Sequence, residues 1–234
     1  MSNSFFKFKK FIVFQDRCAM KVGTDGTLLG AWANGGKKIL DIGTGTGLVA
    51  LMMAQRFDDA LVTAVEIDDD ACRQAVENVG KSIFADRIKI VNQPVQQFSP
   101  DETFDAVVCN PPFFVDSLPC PDKQRATARH AVALSFGDLF TCVSRLMVAE
   151  GEFSAIIPTE SFVEFDGAAR VNGFRCTRKC FVKTVPRKPA KRVLAAYSRK
   201  YGNLYESLEE CIDDGTGKRS QWYSSLTDEF YLGK

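Results

Sequence analysis

The stretch Lys37–Gly47, KKILDIGTGTG, decides how the rest of the chain is read. A short apolar run ends in an acid and then meets glycine at every second position. Such a run reads as a buried parallel strand. The glycines let the backbone turn sharply into a helix and approach a ligand closely. The helix that follows, LVALMMAQRF, brings unpaired N–H groups to the same place. A second strand, ALVTAVEID, ends in Glu66, whose carboxylate can accept hydrogen bonds from both hydroxyls of a ribose. Strand before, helix after and an acid at the next strand end supply the context that a glycine-rich turn needs to count as a nucleotide site.

Outward from this stretch, strands alternate with helices. DDACRQAVENVGKS is amphipathic, with acids in its first turn where they complement the helix dipole. RIKIVN and FDAVVCN read as the third and fourth strands, SFGDLFTCVSRLMVAEG as a helix capped by Gly151, and GEFSAIIP as the fifth strand. SFVEFDGAARVNG then reads as a helix, and FRCTRKCFVKTV and RVLAAYSRK as two strands. This alternation specifies an α/β fold with a mostly parallel sheet and helices on both faces. The short linker PRKPAK makes the last strand pair antiparallel. Ahead of the core, FFKFKKFIVFQ reads as a strand or hairpin, Gly23-Thr24-Asp25-Gly26 as a turn, and the following Leu-Leu run as a helix opening. The chain divides into an N-terminal segment 1–36, an α/β domain 37–200 and a C-terminal extension 201–234. The extension is expected to add one more strand or a small helix, docked by its aromatics.

With 234 residues, 45% hydrophobic and 25% charged, the chain suits one large soluble domain. No apolar run is long enough for a membrane helix. MSNSFFKFKKF lacks the pattern of a secretory signal, so a cytoplasmic protein is expected. The eight cysteines have irregular spacing and His130 is the only histidine, which argues against a metal site. Cys176 and Cys180 fall on one strand, where a four-residue spacing puts both on one face. No feature calls for an obligate protein partner.

The second informative stretch is CNPPFF, Cys109–Phe114, at the end of the fourth strand. Open α/β sheets bind ligands beyond the carboxyl ends of their strands. Asn110 offers a side-chain carbonyl and Pro111 a backbone carbonyl whose direction the ring fixes. Two acceptors can take both hydrogens of one exocyclic NH2 group. Phe113 can stack on the plane carrying it, and Pro112 holds the loop. Taken alone, Asn-Pro-Pro is a turn; the glycine loop beside it favours a site. The glycine stretch also departs from the dinucleotide spacing G-x-G-x-x-G. Its leading Asp41 suits a positively charged ligand group, such as the amino group of S-adenosyl-L-methionine, better than a pyrophosphate.

LDIGTGTG followed by AVEID resembles the cofactor motifs of class I S-adenosylmethionine-dependent methyltransferases, a Rossmann-like fold. That resemblance implies a seven-stranded sheet with an antiparallel last pair. It assigns Asp41, Gly43, Gly45, Gly47 and Glu66 to the cofactor. Asn110–Phe113 resembles the N-P-P-[YF] motif of methyltransferases acting on exocyclic amines or glutamine amides. FKFKKFIVFQDRCAMKVGTDGTLLGAWA, NPPFF, QRATARH, KRVLAAYS and WYSSLTDEFYL are similar to the bacterial tRNA1(Val) (adenine(37)-N6)-methyltransferase family. The closer resemblance adds Lys21, Gly23, Thr24 and Asp25 near the methionine carboxylate, and implies a tRNA adenine as substrate, flipped from its stack. One departure stands out: Pro94 occupies the place of an acid that bonds the cofactor adenine, leaving Val95 to pack the ring.

Charge distribution bears on the substrate. Between Arg170 and Lys200 lie eleven Lys or Arg and no acid, a footprint of nucleic-acid binding. Lys183, Lys188 and Arg192 are the expected RNA contacts, with Arg129 beside the N-P-P-F loop. A solvated charged edge is the simpler account of such a block. Two enzyme readings stay open beside tRNA. One is a release-factor glutamine methyltransferase, which would usually carry a helical domain longer than 1–36. The other is an rRNA adenine-N6 methyltransferase. A non-catalytic RNA-binding module would not need Asn110, and a nicotinamide reductase does not match the glycine spacing.

Overall fold

The computed structural model describes residues 4–17, 21–111, 134–200 and 206–232. Its core is an eight-stranded sheet in the order β10-β8-β9-β7-β6-β3-β4-β5. The parallel strands are β3 (Lys38–Ile42), β4 (Leu61–Glu66), β5 (Ile88–Asn92), β6 (Phe104–Cys109) and β7 (Met147–Pro158). β9 (Arg192–Ser198) runs antiparallel to both β7 and β8 (Arg175–Lys183). The antiparallel last pair is therefore present, but seven strands become eight. The extra strand, β10 (Glu206–Cys211), runs parallel to β8. Its sequence ESLEEC is acidic, and Glu209 pairs with Lys183 across the two strands. Opposite charges on neighbouring strands favour that pairing, so the basic β8 is an inner strand and not a free edge.

Helices cover both faces. α1 (Thr24–Trp32), α2 (Leu48–Arg56) and α3 (Asp69–Gly80) cover one, together with α6 (Gln221–Thr227) and the hairpin of β1 (Phe5–Lys7) and β2 (Ile12–Phe14). α4 (Phe136–Leu146) and α5 (Phe162–Val171) cover the other. Period-two alternation serves both cores: on β9, Leu194 and Ala196 join the first, and Val193, Ala195 and Tyr197 the second. Phe140 centres the second core, with ring centroids 4.9 Å from Phe165, 5.3 Å from Phe153, 5.4 Å from Tyr197 and 5.5 Å from Phe174. The tail after Lys200 supplies both a strand and a helix, and Phe8 bridges to Tyr231, which joins the N-terminal hairpin to the C-terminal segment.

Three local expectations change. Gly23 is the N-cap of α1, so Thr24-Asp25-Gly26 is its first turn and not a separate turn. α4 ends at Leu146, and Gly151 lies inside β7. A Cβ there would lie 2.9 Å from the Asp105 carbonyl oxygen, so the residue is small because the strands approach closely at a register shift. On β8, Cys176 and Arg178 oppose the consecutive residues Tyr197 and Ala196. This bulge moves Cys176 to the second core and leaves Cys180 in the first, so the two thiols face opposite sides.

Phe140→Ala is expected to lower stability by ~3–5 kcal/mol, measured by denaturant unfolding. A cost below about 1 kcal/mol would mean the ring cluster does not hold the α4–α5 layer.

Candidate active site

The glycine loop is built by conformation. Gly43, Gly45 and Gly47 have φ of 69°, 57° and 83°, values that L side chains rarely adopt. A Cβ at Gly43 or Gly45 would meet nothing within 4 Å. Backbone preference, not lack of space, therefore selects glycine at both. Gly43 and Thr44 donate to the Val65 carbonyl at 2.8 and 3.2 Å, which ties the loop to the end of β4.

Asp41 is buried below this loop. Its Oδ2 accepts from Thr44 Oγ1 at 2.6 Å and from the Ala50 N–H at 3.1 Å. One carboxylate thus joins β3, the loop and the first turn of α2. Burial raises its pKa to about 7, against the lowering effect of those two hydrogen bonds. Glu66 closes the other side. Its Oε2 accepts from the Gly45 N–H at 2.8 Å, and Oε1 accepts from the Ile67 and Asp68 N–H groups, both at 2.9 Å.

A cavity of about 340 Å³ opens over the loop, within the range of small-ligand sites. Of the residues expected at the cofactor, Lys21, Gly23, Thr24, Asp25, Asp41, Gly43, Gly45 and Asn110 line it. Gly47 lies behind as the N-cap of α2, and Glu66 reaches the site through Gly45. Val95 packs with Leu40, Ile42 and Val65 in the second core, and its carbonyl accepts from Arg145 at 3.3 Å. The wall also includes Gly26, Thr44, Thr46, Leu48 and Val49, which sequence reasoning passed over. Their signal was the alternation of Thr with Gly and the first turns of the two flanking helices.

Asn110 follows β6 at the same end of the sheet. Its Oδ1 is buried and has no hydrogen-bond partner among the described residues. A buried carbonyl without a donor is costly, and in a cavity wall it marks a place where a ligand N–H is expected. Cys109 before it is fully buried, and burial pushes its thiol well up. Pro111 is buried. Pro112, Phe113 and Arg129 lie outside the described residues, as does Arg125.

The basic block separates into distinct groups. Arg178 lies 3.8 Å from the centre of the Trp32 ring and pairs with Glu152 at 3.1 Å. Arg199 donates to the carbonyls of Ser144 and Met147. Arg170 pairs with Asp166 at 2.8 Å, and Lys183 with Glu209. Arg192 pairs with Asp25 at 2.8 Å, which brings the β8–β9 loop beside the cavity. Arg187, Lys188 and Lys191 are exposed on that loop. Among the described residues, no helix is long and apolar enough to cross a membrane and no cluster of three or more His, Cys, Asp or Glu could hold a metal ion.

The family described as Methyltransferase small domain matches residues 23–147. The tRNA1(Val) (adenine(37)-N6)-methyltransferase of Phocaeicola vulgatus is 48% identical over 240 residues, covering 99% of each chain. The protein of that name in Bacteroides thetaiotaomicron is 46% identical, again covering 99% of each. That of Klebsiella pneumoniae is 41% identical, covering 97% of this chain and 94% of its own. Among solved structures, a "predicted O-methyltransferase" from Agrobacterium tumefaciens aligns with a TM-score of 0.70 at 22% identity, covering 88% of this chain and 96% of its own. At that identity the likeness shows the fold alone. Identity above two-fifths along nearly the whole length does more, and the chain belongs to the tRNA1(Val) (adenine(37)-N6)-methyltransferase family.

Proposed function

We propose that this chain methylates the exocyclic N6 amino group of an adenine in tRNA, position 37 of a valine tRNA, using S-adenosyl-L-methionine. The observation that carries the reading is Asn110: a buried carbonyl, with no partner among the described residues, in the wall of a cavity built from a glycine loop and two acids. The lining suits this cofactor. Asp41 is an acid for a cationic group, Lys21 and the start of α1 suit a carboxylate, and Leu48 and Val49 are apolar. When bound, the cofactor supplies an electrophilic methyl group on a sulfonium.

The residues do the rest. An adenine N6 is a poor nucleophile because its lone pair is delocalised into the ring. Asn110 Oδ1 and the Pro111 carbonyl accept its two hydrogens, favour a pyramidal nitrogen and stabilise the positive charge that develops on attack. Phe113 stacks on the flipped base, a contact of roughly 1–3 kcal/mol. Holding the nitrogen in line with the methyl contributes on the order of 7–11 kcal/mol. No strong base is required, because the proton leaves after transfer. The exposed cations Arg187, Lys188 and Lys191, on a loop beside the cavity, support RNA as the substrate.

Incubation with labelled S-adenosylmethionine and total tRNA, rRNA and release factor, followed by nucleoside and peptide analysis, tests this. N6-methyladenosine in tRNA is expected; label only in release factor or rRNA overturns it. Asn110→Ala should lower methyl transfer about 10²–10³-fold. Its melting temperature should be no lower than wild type, since the change removes a buried acceptor that has no partner among the described residues. Lys188→Glu should weaken tRNA binding and reduce the salt slope by about one, read by filter binding across a salt series.

Asp41 gives a pH signature. Its native pKa of about 7 lies above the ordinary carboxylate value of 3.8. The stability it contributes is therefore present below about pH 4 and is lost as pH rises toward 7. A cationic group brought beside Asp41 favours its ionised form, so cofactor binding below pH 7 should release a proton. Calorimetry at about pH 6 in buffers of different ionisation enthalpy should show this release in the wild type and not in Asp41→Asn.

A further inference from the structure

We propose that Arg192 is a positioning residue of the cofactor pocket. It draws the Asp25 carboxylate aside so that the start of α1 can accept the carboxylate of the cofactor's amino-acid part. The inference rests on the cofactor reading above and takes Arg192 out of the RNA platform to which its place in the basic block assigns it.

The geometry is specific. Arg192 Nε donates to Asp25 Oδ2 at 2.8 Å, across 167 residues of sequence, with both side chains about two-thirds covered. Asp25 lines the cavity, whereas Arg192 approaches it from outside. Arg192 is also held from behind. As the first residue of β9 it is paired between Pro158 of β7 and Val182 of β8, and its Nη1 donates to the Lys191 carbonyl at 3.0 Å. The Lys191 N–H in turn donates to the Val182 carbonyl, and the Lys191 carbonyl also accepts from Thr159. The guanidinium is thus mounted on the sheet.

The first turn of α1 explains what this mounting does. Thr24, Asp25 and Gly26 all line the cavity, and the N-cap Gly23 has no side chain to satisfy their N–H groups. Such groups favour an anion. Asp25 is itself an anion in that turn. Left alone, its carboxylate could occupy the same N–H groups and would repel a second carboxylate. The contact with Arg192 engages Oδ2 and balances the charge, so the helix end is left for a ligand. Lys21 on the same wall adds to the positive field there.

Calorimetry with two nucleosides tests this. S-adenosylhomocysteine carries the amino-acid carboxylate, and 5′-methylthioadenosine lacks it. Arg192→Gln should weaken S-adenosylhomocysteine roughly tenfold, the scale of one helix-end charge interaction. It should leave methylthioadenosine and tRNA affinities within about twofold, with Arg192→Lys between it and wild type. Removing the charge that Arg192 balances should restore binding, so Asp25→Asn combined with Arg192→Gln should recover S-adenosylhomocysteine affinity to within about threefold of wild type. Equal loss of both nucleosides, no loss of either, or failure of the double variant to recover overturns the role. Loss of tRNA affinity alone returns Arg192 to the RNA surface. If wild type binds neither nucleoside, the cofactor reading fails as well.

Discussion

The Asp41 carboxylate is the constraint around which the site forms. It lies one residue before the end of β3, is almost wholly buried, and receives one hydrogen bond from the loop and one from the first turn of α2. A buried carboxylate needs such partners. Satisfying it draws Thr44 and Ala50 to one atom, and the chain between them must turn tightly. Left-handed glycines make that turn possible, and Glu66 fastens it through the Gly45 N–H. The same burial that raises Asp41 toward neutrality leaves it ready to ionise beside a cation. One side chain thus organises the strand end, the loop and the helix start.

The distribution of the basic residues follows a similar economy. A block of eleven cations with no acid between them would repel itself if all were free. Instead, Arg178 and Arg199 bind ring, carboxylate and carbonyl groups that lock helices to the sheet. The acidic β10 lies along β8, and Asp25 takes Arg192. Arginine suits these tasks because its planar fork meets several partners at once. Arg187, Lys188 and Lys191 sit in a different setting, on an exposed loop whose end is anchored at the cavity.

Much of this was legible in the residues. The alternation of apolar runs with amphipathic segments marked every strand from β3 to β9, because strand and helix leave different periods in sequence. Asp41, the three loop glycines, Glu66 and Asn110 were recognisable because they stand at strand ends, where an open parallel sheet binds ligands. The face taken by Cys176 was not legible. A bulge is set by pairing with β9, and period-two counting assumes there is none. Nor was the place of β10: the tail suggested one more strand or a small helix, but ESLEEC has weak strand character until the basic β8 lies beside it.

Sequence by itself determined the fold class and the position of the glycine loop, because each depends on residue type and short spacing. Tertiary structure alone decided which partner each charge would meet. Arg192 and Asp25 are far apart in the chain and meet only when β9 inserts between β7 and β8. Charge is a property of the residue, but its use depends on what folding places within about 3 Å of it.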